Sequence, residues 1–374
     1  MAPAGSIRVL FVQGAGVRSG AERALLARIR HLPEHGVEPV VAFLSDGPFR
    51  AEVEQSGVAT VLLPEAPRVR QPARLPGAVL RLAGAARRER AEVLEGCGEK
   101  MSLLAGWAAR AAGRGCVYNL QDAPRRSLEA TVVQLGAAAG RHDAVVVPSR
   151  WMARSFRRLG LRPRVIPNAV VLEDLPGRSL DIRGPAGWDS AALVVGLFGR
   201  LVAWKGAEVM LGAARRVLGD HPETRFLVVG GTLYGQEPDY EPRLRAQARE
   251  LGLAERLHFA GHREDALALM AGCDAVCHCS IEREPFGMVV LEAMALGKPV
   301  VATRTGGPEE MIDHGRTGML VDPGDEPALA AAIDSLVRDP GARAELGRAA
   351  RAEARDRFDS AAVGASLAAL YREV

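Results

Sequence analysis

Two cations and two carboxylates have the types and spacing to hold an anion and a polyol. Arg200 and Lys205 flank a short loop, and Glu284 and Glu292 are separated by seven residues. A guanidinium fork and a compact ammonium together suit a diphosphate without help from a metal. Only three of the 48 cations are Lys (Lys100, Lys205 and Lys298), so a retained Lys marks a place where a point charge is wanted. Glu284-Pro285-Phe286-Gly287 leads into a helical pattern carrying Glu292. Read as helix throughout, that spacing is a rise of about 12 Å and a turn of about 80°. The rise exceeds the roughly 5–9.5 Å between carboxylates that act as an acid–base pair on a glycosidic bond. It suits two anchors along one elongated polyol.

Glycines recur where apolar strands give way to helices. Gly14, Gly16 and Gly20 follow the first apolar run, Gly206 follows Lys205, and Thr305-Gly306-Gly307-Pro308-Glu309-Glu310 follows another. Such loops let backbone N–H groups approach an anion at a helix start. Taken singly, each also describes a tight turn or a cap. The first has the spacing G-x-G-x(3)-G, one residue longer than the dinucleotide fingerprint.

The elements that must position these groups alternate along the chain. Strands are expected at 7–13, 39–45, 60–64, 92–95, 116–121, 144–148 and 164–167, then at 193–199, 225–229, 257–260, 275–279, 299–303 and 319–321. Amphipathic stretches at 22–32, 151–159, 207–218 and 291–296 lie between them. Near-continuous apolar strands alternating with helices predict parallel sheets covered on both faces. The expected architecture is α/β, with two doubly wound parallel-sheet domains facing a deep cleft. The boundary falls in the Gly-, Pro- and Asp-rich stretch 175–190, giving a first domain at 1–183, a second at 184–357 and a final helix at 358–374.

Composition agrees with two globular domains. The chain has 374 residues, 48% hydrophobic and 25% charged, which excludes collagen-like, disordered and disulfide-scaffold classes. The net charge of +3 conceals an asymmetry: residues 1–185 carry 27 Lys+Arg against 17 Asp+Glu, and residues 186–374 carry 21 against 28. Five cysteines in so long a chain suggest a reducing compartment. No apolar run reaches the ~18 residues needed to span a bilayer, and no secretory leader is read. The expectation is a cytoplasmic protein, touching a membrane only at its surface.

Several signals carry less. Cys273, Cys277, Cys279 and His278 crowd together, but alternation along a strand points neighbours to opposite faces, so no zinc site is expected. No Asp-x-Asp occurs, which weakens a carboxylate-held metal. His258 and His262 read as structural or rim residues. The stretch 68–90 carries Arg68, Arg70, Arg74, Arg81, Arg87, Arg88 and Arg90 with Leu75, Val79, Leu80 and Leu82. It reads as a solvated helix or as a basic face for anionic lipid. It has no aromatic residue to stack a base, so nucleic acid is not an expected partner.

Arg200…Lys205-Gly206, Gly261, Ser280, Glu284-Pro285-Phe286-Gly287…Glu292-Ala293, Gly297-Lys298-Pro299 and Gly306-Gly307…Glu310 together resemble the signature of glycosyltransferase family 4. Looser matches precede it at Ser19-Gly20-Ala21-Glu22, Pro148-Ser149 and Ile166-Pro167-Asn168. The resemblance implies the GT-B fold of two Rossmann-like domains, a nucleotide-diphosphate sugar as donor, a hydroxyl acceptor (an envelope glycan, a lipid-linked or a small natural-product acceptor) and retention of anomeric configuration; with Arg200 and Lys205 for the diphosphate and no Asp-x-Asp, no metal or other cofactor is expected. It implies Arg200, Lys205 and Glu284 as catalytic residues, the two cations on the diphosphate and Glu284 on the sugar hydroxyls. The backbone at Phe286, Gly287 and Met288 would lie close by, and Glu292 would bind the ribose. Gly261, His262 and Arg263 would contact the base, Gly20 would approach the phosphates, and the last helix would cross back to the first domain.

Two departures stand out. The family's usual His-Asp reads Gln121-Asp122, so these acceptor-side candidates lack an imidazole. The usual Pro-Asn-Gly-Val-Asp reads Pro167-Asn168-Ala169-Val170-Val171. A non-catalytic nucleotide-sugar-binding protein would keep the second-domain motifs and lose acceptor chemistry. A nicotinamide-dependent oxidoreductase would use Gly14–Gly20 but leaves those motifs unexplained.

Overall fold

The computed structural model describes residues 5–14, 20–63, 75–122, 140–232 and 237–374. Within these, packing divides the chain into two units: Met1–Val171 with Asp359–Val374, and Leu172–Phe358.

The first unit is built on β1 (Ile7–Gln13), β2 (Val37–Phe43), β3 (Ala59–Leu62), β4 (Val93–Cys97), β5 (Gly115–Asn119), β6 (Ala144–Val147) and β7 (Arg164–Val165). They form one parallel sheet in the order β3-β2-β1-β4-β5-β6-β7. Its helices are α1 (Gly20–Arg30), α2 (Pro48–Gln55), α3 (Leu75–Arg88), α4 (Glu99–Ala112) and α5 (Arg150–Arg157). Alternation along β1 explains why helices are needed on both faces. Leu10 and Val12 enter one apolar cluster with α3 and α4, whereas Val9 and Phe11 enter another with α1. Ser149 caps α5, its hydroxyl accepting from the Met152 N–H at 3.2 Å.

The second unit repeats the plan with β8 (Val194–Phe198), β9 (Arg225–Val229), β10 (Leu257–Gly261), β11 (Ala275–His278), β12 (Val300–Thr303) and β13 (Met319–Val321). Their order, β10-β9-β8-β11-β12-β13, is again parallel throughout. The helices are α6 (Ala207–Asp220), α7 (Tyr240–Glu250), α8 (Ala266–Gly272), α9 (Met288–Ala295), α10 (Gly307–Met311), α11 (Glu326–Arg338) and α12 (Pro340–Phe358). In both sheets the strand order reverses beside the first strand, at β1/β4 and at β8/β11. Ligands of doubly wound sheets bind beyond the strand carboxyl ends at this switch point.

A final helix, α13 (Ser360–Glu373), groups with the first unit. Val363, Leu367 and Tyr371 join the cluster of Val9 and Phe11, and the Phe11 and Tyr371 rings meet edge-on at 6.3 Å. Such a pair contributes about 0.5–1.5 kcal/mol beyond its buried area.

The division between units differs from the expected one. Residues 172–183 group with the second unit. The Leu180 N–H donates to the Ala268 carbonyl, and Arg183 reaches Asp274 at 2.5 Å. Polar anchoring thus places a Gly- and Pro-rich stretch that composition alone reads as linker.

Candidate functional site

In the second unit, β8 ends at Phe198 and is followed by Gly199 and Arg200, after which Ala203–Lys205 forms a single tight turn. Gly206 follows with φ +65°, and a Cβ there would lie 2.2 Å from the Cys279 carbonyl oxygen. Only glycine lets the loop after β8 lie this close to the end of β11. The close approach brings Lys205 onto Glu284: the ammonium pairs with carboxylate Oε2. Lys205 Nζ also stands 4.3 Å from the Trp204 ring centre, and the Arg200 guanidinium carbon lies 5.9 Å from it.

The same carboxylate oxygen has two further partners. Ser280 Oγ donates to Oε2 at 3.1 Å, and His278 Nε2 lies 3.3 Å from it. His278, Ser280 and Glu284 are all buried. Burial by itself would raise the Glu284 carboxyl, but the Lys205 ammonium and the His278 contact outweigh it and hold the group well below the usual carboxylate range. Burial pushes the His278 imidazole below its ordinary value, with Glu284 pulling the other way.

The loop after β12 supports Glu284 from beneath. Gly306 has φ +62°, and a Cβ there would lie 2.2 Å from the Glu284 carbonyl oxygen. One at Gly307 would fall 2.2 Å from the Phe286 carbonyl oxygen. The Gly307 N–H donates to the Glu284 carbonyl at 2.9 Å, and the Thr303 hydroxyl donates to the Ser280 carbonyl at 2.8 Å. Glu284 therefore lies in a loop braced by glycine contacts and not on the helix of Glu292; the helical rise expected between them does not apply. Phe286 is buried edge-on against Phe358 at 5.9 Å, so it anchors this loop. Gly287 and Met288 open α9, whose start no side chain caps, and Glu292 is buried one turn further along. The start of α6 at Gly206 is likewise uncapped by a side chain. Both helix starts thus leave backbone N–H groups without a side-chain cap, the kind of donor that an anion at a helix N-terminus uses.

Gly261, His262 and Arg263 sit at the end of β10, two strands from β8, which is about 10 Å across a sheet. Among the described residues no hydrogen bond or ion pair joins them to Lys205, His278, Ser280 or Glu284. Arg263 forks onto Asp265 at 2.6 and 2.7 Å.

The first unit holds the remaining candidates. Gly20 begins α1, and the loop residues 15–19 lie outside the described residues. Gln121 Nε2 donates to Asn119 Oδ1 at 2.6 Å, and Asn168 Nδ2 donates to Gln121 Oε1 at 2.9 Å. The Asp122 N–H donates to Glu99 at 3.0 Å. Behind Gln121 lies a buried ion pair: Arg28 donates to Asn119 and to Glu95, each at 3.1 Å, while Asn119 and Tyr371 donate to Glu95 at 2.9 and 2.6 Å. These contacts dictate which way the Asn119 amide points, and through it the Gln121 amide.

Sequence reasoning gave no role to His278, Trp204 or the Arg28–Glu95 pair. His278 and Ser280 had a usable signal: residues two apart on an extended segment face the same way. Arg28 and Glu95 are 67 residues apart, and nothing local marks them as partners.

Of the basic stretch, 64–74 lies outside the described residues. On α3, Leu82 is buried, Leu75 and Val79 are half-buried, and Leu80 is 66% exposed beside exposed Arg81. Among the described residues no helix is long and apolar enough to cross a membrane, and no group of three His, Cys, Asp or Glu side chains could hold a metal ion.

Comparison with known proteins follows the same division. Residues 18–174 match the Glycosyltransferase Family 4 model, and residues 180–353 match that of Glycosyl transferases group 1. A D-inositol 3-phosphate glycosyltransferase of Corynebacterium jeikeium is 38% identical over 185 residues, covering 48% of this chain and 43% of that one. The chain thus matches less than half the length of that relative. A phosphatidyl-myo-inositol mannosyltransferase of Mycobacterium leprae is 31% identical over 280 residues, covering 72% of this chain and 70% of that one. Among solved structures, HepE of Anabaena in complex with UDP-glucose is similar with TM-score 0.86 and 29% identity, over 98% of this chain and 100% of that one. With both halves matched by family models, and a relative above 30% identity covered over two thirds of its length, this chain belongs to glycosyltransferase family 4.

Proposed function

We propose that this chain transfers a sugar from a nucleotide-diphosphate donor to a hydroxyl acceptor, retaining anomeric configuration and using no metal. One observation carries the reading. Lys205 and Arg200 stand at the end of β8, beside Glu284 just beyond β11, at the switch point of a doubly wound sheet. That HepE of Anabaena was solved with UDP-glucose supports a nucleotide-sugar donor here.

The demand on such a site is to stabilise a diphosphate as it leaves. Arg200, Lys205 and the uncapped start of α6 or α9 supply fixed positive charge where negative charge develops. Glu284 accepts hydrogen bonds from sugar hydroxyls, and Glu292 from the ribose. The bond from the anomeric carbon to the diphosphate oxygen breaks as the acceptor oxygen bonds to that carbon. The acceptor proton passes to a phosphate oxygen on the same face. No protein base is required, so the amide of Gln121 is compatible with transfer. The acceptor is offered from the first unit, where Gln121 and Asp122 lie beyond β5. The excess of cations in residues 1–185 leans towards an anionic or membrane-borne acceptor, a small natural-product acceptor fits the fold equally well, and exposed Leu80 with Arg81 is compatible with peripheral contact with anionic lipid.

The test is a thermal-shift panel of UDP-, GDP-, ADP- and TDP-sugars, followed by hydrolysis and transfer assays with the strongest binder. Turnover is expected to survive EDTA; turnover abolished by EDTA and restored by manganese sinks the metal-free reading. Gln121, held at both ends by Asn119 and Asn168, favours one rival: a protein that binds the donor without transferring it. Tight binding with neither hydrolysis nor transfer would select that reading.

A further inference from the structure

Resting on the nucleotide-sugar reading, we infer that His278 and Ser280 are positioning residues which hold Glu284 for the sugar once Lys205 has left it for the diphosphate. All three donors converge on one oxygen of Glu284. Lys205 Nζ, Ser280 Oγ at 3.1 Å and His278 Nε2 at 3.3 Å share Oε2, and Oε1 has no partner among the described residues. The carboxylate is thus oriented, with one oxygen occupied and the other available to sugar hydroxyls.

The three donors are not equivalent. Ser280 and His278 are buried at 0% and 4% exposure, whereas the Lys205 side chain is 20% exposed and rests on the Trp204 ring. A diphosphate offers Lys205 at least two negative charges against the single charge of Glu284, so it competes for the ammonium. After that exchange the buried carboxylate still needs donors, because an unpaired buried charge is costly. The Ser280 hydroxyl and the His278 Nε2–H supply them.

The imidazole is suited to a fixed role. His278 Nδ1 is buried and without a hydrogen-bond partner. In the Nε2–H tautomer that atom is a bare acceptor; a second proton would leave an unmatched buried N–H. The ring is therefore a neutral donor aimed at Ser280 and Glu284, with Ser280 Oγ 3.1 Å from Nε2. The Thr303 bond to the Ser280 carbonyl and the Gly306 contact beneath Glu284 fix the backbone on both sides of the pair.

The test separates sugar from nucleotide. UDP and UDP-glucose are the probes, replaced by the GDP, ADP or TDP pair if the panel above selects one of those. For Ser280→Ala and His278→Leu, kcat/KM with the nucleotide sugar should fall about tenfold or more, with Kd for the free nucleoside diphosphate held within about twofold. His278→Gln, whose amide nitrogen can stand near the Nε2 position, should recover most of the loss. If His278→Leu does not fold, Ser280→Ala and His278→Gln carry the comparison. Native kcat/KM in folded Ser280→Ala overturns the inference. Equal losses on free and sugar-bearing nucleotide, without recovery in His278→Gln, overturn it too. A native chain that binds none of the four nucleotides removes the donor reading, and the inference with it; native binding with unaffected variants removes the inference alone.

Discussion

Lys205 and Glu284 are 79 residues apart in sequence and form an ion pair in which the carboxylate is buried. The pair joins the loop after β8 to the loop after β11, and it sets the ammonium proposed for the diphosphate beside the carboxylate proposed for sugar hydroxyls. The chemistry proposed for this chain follows from that junction.

Removing either phosphate cation should cost turnover while the fold persists. Lys205→Ala or Arg200→Ala is expected to lower kcat by about 10²–10³-fold, the range for one preorganised donor at developing charge. Steady-state kinetics beside a thermal melt checks this; near-native turnover in both folded variants rejects the assigned roles.

The two glutamates should separate in binding experiments. Glu284→Ala should reduce discrimination between nucleotide sugars and leave free nucleotide binding largely in place. Glu292→Ala should weaken both. Calorimetry with free and sugar-bearing nucleotide reads the difference, and unchanged titrations in both variants would mean that the donor binds elsewhere.

Gly306→Ala tests the brace beneath Glu284. A left-handed alanine costs roughly 1–3 kcal/mol in strain, and its Cβ would meet the Glu284 carbonyl oxygen at 2.2 Å. Gly315→Ala is the control, with φ +80° and open space around the added carbon. Gly306→Ala should lose donor binding and melt lower than Gly315→Ala; equal behaviour of the two would show that the close contact is not needed.

Stability should fall on mild acidification, in part through His278. Its folded pKa is depressed below the ordinary 6.5 by burial, so the unfolded chain takes up the proton first. The contribution is fully present above about pH 6.5 and is lost as pH drops from there toward the folded value, at up to about 1.4 kcal/mol per pH unit. His258 is shifted the same way by burial, with Arg245 and Arg263 adding to it. Melting temperatures between about pH 8 and pH 5.5 should decline, and His278→Gln should flatten the curve. A native profile that rises on acidification contradicts this.

In the first unit, Glu95→Ala strands Arg28, which is 1% exposed, without its counter-charge. Breaking a buried pair on one side costs about 3–5 kcal/mol. Tyr371→Phe removes one hydroxyl bond to the same carboxylate and should cost about 1.5–3 kcal/mol. Urea titration gives both values, and a Glu95→Ala loss no larger than that of Tyr371→Phe would show the ion pair to be energetically minor.

Much of this protein was legible from local pattern. Apolar strands alternating with amphipathic helices predict two parallel sheets, and the structure has them, with strand ends moved by a residue or two where pairing decides the limit. Arg200, Lys205, Glu284 and the glycines at 206, 287, 306 and 307 stand out in the sequence because strand-end loops carry them in short, ordered spacings, and Glu292 because it follows Glu284 on the next helical pattern. Tertiary structure alone decided who touches whom. The reversal of strand order sets β8 beside β11 and so puts Lys205 on Glu284. Glycine contacts across the sheet end take Glu284 off the helix of Glu292. Arg28, Glu95 and Tyr371 converge from three separate elements behind Gln121. Periodicity reports which face of an element is apolar, whereas contacts between distant elements depend on register and crossover, which no local spacing encodes.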